Sequence, residues 1–198
     1  MDIDKMEPLS EDWERALCVV AHPDDLEFGA AAAVARWTGQ GKDIVYCMVT
    51  SGEAGIDGMA PAECRTVREA EQVASAAVVG VPDVVFLGLP DGVLEYGVPL
   101  RREITAVVRR FRPDIVITGN FQDTWGGTSL NQADHIAADR GVVDGVRNRW
   151  VFREQLVNGL GWVRRRARLT MRRALRQLAP PVGLEPTTLR LTVECSAS

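Results

Sequence analysis

Leu17-Cys18-Val19-Val20-Ala21, followed directly by His22-Pro23-Asp24-Asp25, decides how this chain is read. Five apolar residues run without a break to the edge of a proline, which disfavours helical geometry in the residue before it, so the run predicts a buried strand ending in a polar turn. Working outward, Ala30 to Ala35 are small helix-forming residues, and a helix is expected to open near Glu27 and close near Gly39 and Gly41. Ile44 to Val49 repeat the strand signal, Gly52, Gly55 and Gly58 make a flexible loop, and a helix follows from about Pro61 to Val79. Val84 to Leu87 predict a third strand, Pro99 to Phe111 a helix, and Asp114 to Thr118 a fourth strand. Continuously apolar strands alternating with helices predict a three-layer α/β fold whose parallel sheet is covered on both faces and joined by right-handed crossovers. Ligands of such sheets bind beyond the carboxyl ends of the strands, where the His22 turn lies.

The 198 residues, 46% of them hydrophobic, suffice for one substantial core. No run approaches the length of a membrane span, and the start of the chain (Met1-Asp2-Ile3-Asp4-Lys5) is acidic rather than basic and then apolar, so neither a membrane segment nor a signal peptide is expected. The expected location is the cytoplasm, with no membrane or nucleic-acid partner. Cys18, Cys47, Cys64 and Cys195 show no C-x-x-C spacing and read as reduced structural residues. Charge is unevenly spread: 15 Lys and Arg stand against 25 Asp and Glu up to residue 159, and 8 against 2 from residue 160 onward. This change of composition divides the chain into a domain over 1–160 and an Arg-rich tail over 161–198.

The turn after the first strand holds one imidazole and two carboxylates within four residues. The second of the two histidines, His135, follows the fourth strand at the expected start of a helix, again at the carboxyl edge. Taken singly, His22 fits a turn residue, Asp24 or Asp25 a helix N-cap, and His135 a solvated helix residue. Together at strand ends, two histidines and a carboxylate have the composition of a metal site with an open position for water. The same donors suit zinc or non-haem iron(II).

At these residues the chain resembles the LmbE-like, or PIG-L, family of N-acetylglucosaminyl deacetylases, which have a Rossmann-like fold. The resemblance lies in Ala21-His22-Pro23-Asp24-Asp25, Thr50 to Gly55, Arg68 to Glu71, Leu87 to Gly92, Arg112-Pro113-Asp114 and Asn131 to His135. It implies zinc held by His22, Asp25 and His135, with Asp24 as the general base. It implies hydrolysis of the amide of an N-acyl amino sugar or related small conjugate, which is then the expected small-molecule partner; a homo-oligomer is left open. Arg68 and Asp91 match positions that face the substrate pocket in the family, where they would recognise sugar hydroxyls or a charged substituent; a surface ion pair and a turn aspartate are the plain alternatives.

The chain departs from the family twice. Gln132 stands where many relatives carry a histidine expected to stabilise an oxyanion or protonate the leaving group; glutamine can donate an N–H but cannot shuttle a proton. From about Gly161 the resemblance stops, and the Arg-rich tail reads as aberrant or disordered, leaving the sheet without an element that the family fold includes. A non-catalytic sugar-binding or regulatory module is the alternative function. A nucleotide-binding domain ranks last because the turn after the first strand lacks G-x-G-x-x-G.

Overall fold

The computed structural model describes residues 9–125, 127, 129–146 and 161–164. The elements are β1 Arg15–Val20, α1 Asp25–Gly29, α2 Ala31–Gly39, β2 Asp43–Met48, α3 Pro61–Val78, β3 Asp83–Phe86, α4 Val98–Phe111 and β4 Ile115–Thr118. They continue with the small pair β5 Thr124–Trp125 and β6 Ser129–Leu130, then α5 Ala133–Val146 and β7 Gly161–Arg164. The four predicted strands and the helices between them are all present. The helix expected from Glu27 begins earlier, at Asp25, and is divided at Ala30, directly after Gly29. Glycine has the weakest helix tendency after proline, and the chain re-enters the helix at Ala31.

The main sheet runs in the order β3-β2-β1-β4-β7, with the first four strands parallel and β7 antiparallel to β4. The first four residues of the Arg-rich tail thus pair with the sheet as an edge strand, one residue past the boundary expected at 160. The expectation of an aberrant or disordered tail over 165–198 lies outside the described residues.

The apolar strands serve two cores because successive side chains point to opposite faces. Cys18, Val20, Ile44, Tyr46, Met48, Ile115 and Ile117 pack with α1, α2 and α3 residues on one face. Leu17, Val19, Val45, Cys47 and Val116 pack against Leu100, Ile104 and Val142 of α4 and α5 on the other. This two-sided cover explains why β1, β2 and β4 contain no polar alternation. Cys18, Cys47 and Cys64 are buried free thiols. No helix among the described residues is long and apolar enough to cross a membrane.

Helix α5 is held close to α4 by its glycines. A Cβ at Gly141 would stand 3.1 Å from the Cδ1 of Ile104, so a larger residue there would require that side chain to give way by a few tenths of an ångström. On the same helix, Asp139 is a fully enclosed carboxylate, accepting the Thr118 hydroxyl at 2.8 Å, and a Cβ at Gly119 would collide with its Oδ2 at 2.5 Å. Burial pushes the Asp139 carboxyl up from 3.8 to about 7, against the opposing pull of the Thr118 hydroxyl and the Gly119 N–H.

A carboxyl raised in the folded state favours folding at low pH. Its contribution is fully present below the unfolded value of 3.8 and is lost as pH rises through about 7. In urea unfolding of the metal-free protein, wild type should lose stability across that window, by on the order of 4 kcal/mol from this group. Asp139→Asn should remove most of that slope; an identical slope in both proteins would contradict the assignment.

Candidate metal centre

The sheet order reverses direction at β1, so the chain leaves β1 and β4 toward opposite neighbours and opens a crevice at their carboxyl ends. The buried polar residues among those described are Thr50, Ser51, Gln72, Thr118, Asn120, Asp134 and Asp139, of which Asn120 and Asp139 line this crevice. Buried polar side chains are more informative than buried apolar ones, because each needs partners to offset its lost hydration.

The turn after β1 is built around a left-handed aspartate. Asp24 has φ 84°, an uncommon value for a residue with a side chain, and its N–H is pinned by the Oε1 of buried Gln72 at 2.8 Å. This geometry sends the two neighbouring carboxylates apart. Asp25 turns inward, where its Oδ2 accepts the His22 N–H at 2.9 Å and its Oδ1 lies 3.0 Å from the His135 Nε2. Asp24 turns outward into the cleft, half-exposed, and pairs with the Nη2 of Arg68. The same Nη2 donates to the Pro23 carbonyl at 3.0 Å, and Nη1 donates to Glu71 at 2.9 Å. Arg68 thus lines the cleft while its described bonds hold the turn and Asp24. Gly52 permits this arrangement, since with φ 66° a Cβ there would lie 3.1 Å from the Pro23 ring.

His135 enters from the first turn of α5. Its Nδ1 lies 3.0 Å from the Oδ1 of Asn131, which also accepts the Trp125 indole N–H at 2.8 Å and whose amide donates to the Gln122 carbonyl at 3.0 Å. The imidazole is thereby fixed with Nε2 toward Asp25. Burial lowers its pKa, but the Asp25 hydrogen bond and the charges of Asp25, Asp139 and Asp134 outweigh that and raise it. The two imidazole rings are 5.1 Å apart.

His22, Asp25 and His135 each offer a ligand atom within 4.8 Å of the others, as the resemblance implies. Two imidazole nitrogens and one carboxylate oxygen, with an open side toward the cleft, fit the donor set of a hydrolytic metal site. A second group, His22, Asp91 and Asp134, meets the same distance criterion. The His22 Nε2 stands 3.0 Å from the Asp91 Oδ1 and 3.3 Å from the Asp134 Oδ2. Asp91 is fixed on its other oxygen by the Ala54 N–H at 2.8 Å.

His22, Asp25, His135 and Asp91 face a cleft of about 730 Å³, also lined by Gln132, Trp125 and the exposed Phe28. All seven residues singled out in the sequence lie on its wall: His22, Asp24, Asp25, Arg68, Asp91, Gln132 and His135. Sequence reading assigned no role to Asn131, Asp134 or Asp139. Asp134 carried one signal, its place directly before His135.

The family profile described as PIG-L, GlcNAc-PI de-N-acetylase, matches residues 17–146. The chain is 34% identical over 127 residues to the diacetylchitobiose deacetylase of Thermococcus kodakarensis, an alignment covering 63% of this chain and 46% of that protein. It is 29% identical over 153 residues to the 1D-myo-inositol 2-acetamido-2-deoxy-alpha-D-glucopyranoside deacetylase of Geodermatophilus obscurus, covering 64% and 50%. The solved N,N'-diacetylchitobiose deacetylase from Pyrococcus horikoshii is similar with a TM-score of 0.63 and 25% identity, over 71% of this chain and 52% of that one. The chain spans about half the length of the curated relatives it matches. The profile match takes in β1, β4, α5 and both histidines of the cleft, and the chain belongs to the PIG-L family.

Proposed function

We propose that this chain is a zinc-dependent hydrolase that removes the acyl group from an N-acyl amino sugar or a related small conjugate. The observation that carries the reading is the convergence of His22, Asp25 and His135 at the open edge of the sheet, with a separate carboxylate, Asp24, facing the same cleft. The relatives named above are deacetylases of acetylated amino sugars, which supports the substrate class. Three buried free thiols fit a reducing cytoplasm.

His22, Asp25 and His135 would hold the ion. A zinc ion held there would lower the pKa of water and polarise the amide carbonyl. Asp24 is not among the ligand atoms, so its carboxylate is available to take a proton from the attacking water and pass it to the leaving amine. Arg68 keeps that carboxylate at the cleft through its bonds to Pro23 and Asp24, so its contribution to substrate binding and to base positioning are joined. Gln132 lines the cleft exposed and offers an amide N–H to the developing oxyanion. Asp91, also on the wall, is the second group able to meet a sugar hydroxyl.

Purified protein should bind one zinc per chain, and His22→Ala or His135→Ala should empty the site; full occupancy in both variants, read by metal analysis, would remove these ligands. Asp24→Asn should keep its zinc and lose roughly 10²- to 10⁴-fold in turnover, the range for a missing acid-base group. An unchanged rate would exclude Asp24 from proton transfer. Gln132→His should leave turnover unchanged or raise it, since imidazole adds a group that titrates near neutrality. A large loss with zinc still bound would show that the neutral amide donor is specifically required.

A further inference from the structure

One side of His22 is already committed before any ion is considered. Its Nε2 faces two carboxylate oxygens, the Asp91 Oδ1 at 3.0 Å and the Asp134 Oδ2 at 3.3 Å. Ionised carboxylates only accept hydrogen bonds, so Nε2 carries a hydrogen, and in the neutral ring Nδ1 then keeps the lone pair. Nδ1 lies on the Asp25 side, 3.8 Å from its Oδ2, too far for a hydrogen bond and close enough for both atoms to reach one ion.

The two carboxylates are not equivalent. Asp91 lies on the cleft wall, whereas Asp134 has a side chain only 4% exposed and does not line the cleft. Its Oδ2 accepts the Gly92 N–H at 2.7 Å and its Oδ1 accepts the Leu94 N–H at 3.0 Å. Asp134 is thus clamped by the loop after β3, carried by the start of α5, and aimed at the turn after β1. An enclosed carboxylate so thoroughly bonded is a rigid reference point for an imidazole.

We propose that Asp134 is a positioning residue for His22: it holds the Nε2 hydrogen and so fixes the ring with the Nδ1 lone pair toward the position shared with Asp25 and His135. Resting on the metal-site reading above, this gives the segment Asn131 to His135 three linked tasks. His135 is a ligand, Asn131 orients it through Nδ1, and Asp134 orients the other histidine from across the crevice. Metal-binding histidines commonly depend on such a partner at the second ring nitrogen, and its loss typically weakens metal binding by 10- to 100-fold.

The test uses the full chain and two readouts. Because the sequence has two histidines, a nitrogen-15 ring spectrum of the metal-free protein holds two imidazoles, and His22 should appear as the Nε2–H tautomer. Asp134→Asn, which keeps the side-chain shape, should mix the His22 tautomers and weaken zinc roughly 10- to 100-fold in competition with a chelator. The Nδ1–H tautomer in wild type, or zinc affinity unaltered in a folded variant, would overturn the proposal. Asp91→Asn separates the two carboxylates and serves if Asp134→Asn does not fold: with Asp134 as the remaining carboxylate on Nε2, the tautomer and the zinc affinity should stay near wild type, whereas mixed tautomers and weakened zinc in Asp91→Asn would overturn the proposal. Failure of wild type to bind zinc would defeat the deacetylase reading instead, leaving the tautomer as a separate result.

Discussion

Because β1 and β4 pair in parallel, with Cys18 opposite Ile117, the chain leaves both strands at the same edge of the sheet. Two histidines far apart in sequence then meet with their rings 5.1 Å apart. Neither can be placed without its neighbouring element: the turn after β1 relies on Gln72 of α3, and α5 relies on a glycine-permitted approach to α4. The two apolar cores bind the strands to their helices on both faces of the sheet. Packing therefore brings the two imidazoles together through the elements that carry them, and the bonds at the cleft orient the rings.

The crevice is rich in carboxylates for its size. Asp25, Asp91 and Asp134 surround two imidazoles, with Asp139 enclosed behind them. Such a concentration of negative charge favours a cation, which offsets repulsion that would otherwise oppose ionisation of neighbouring acids. The protein divides these groups by burial. Those that build the frame are enclosed and bonded on both oxygens, as Asp134 is, whereas Asp24 stands half-exposed with an arginine partner. On the proposed function, the same residue type would serve as frame, ligand and base.

Much of this was legible in the sequence, because a parallel α/β sheet announces itself through unbroken apolar strands and through polar residues placed directly after them. The divergence of Asp24 and Asp25 follows from a turn that any adjacent pair would need, and the left-handed φ of Asp24 is its structural form. Other features depend on tertiary pairing that a linear pattern does not contain. Asp134 precedes His135, yet its carboxylate faces His22 from the opposite wall; adjacent residues in the first turn of a helix point in different directions. For Arg68 the sequence leaves a substrate contact and an ion pair both open, and its bonds to Pro23 and Asp24 arise only when α3 packs beside the β1 turn. The strand β7 opens an arginine-rich stretch, and pairing with the edge of β4 outweighs that composition.

The central claim is that this crevice hydrolyses an amide on a sugar. The most direct measurement is release of free amine from a panel of N-acyl glucosamine conjugates by the zinc-loaded chain, run beside the chelated protein. Zinc-dependent amine release from at least one conjugate of the panel is expected. Stoichiometric zinc at His22, Asp25 and His135 with no amine released from any of them would contradict it, and would leave a metal-holding sugar-binding module in its place.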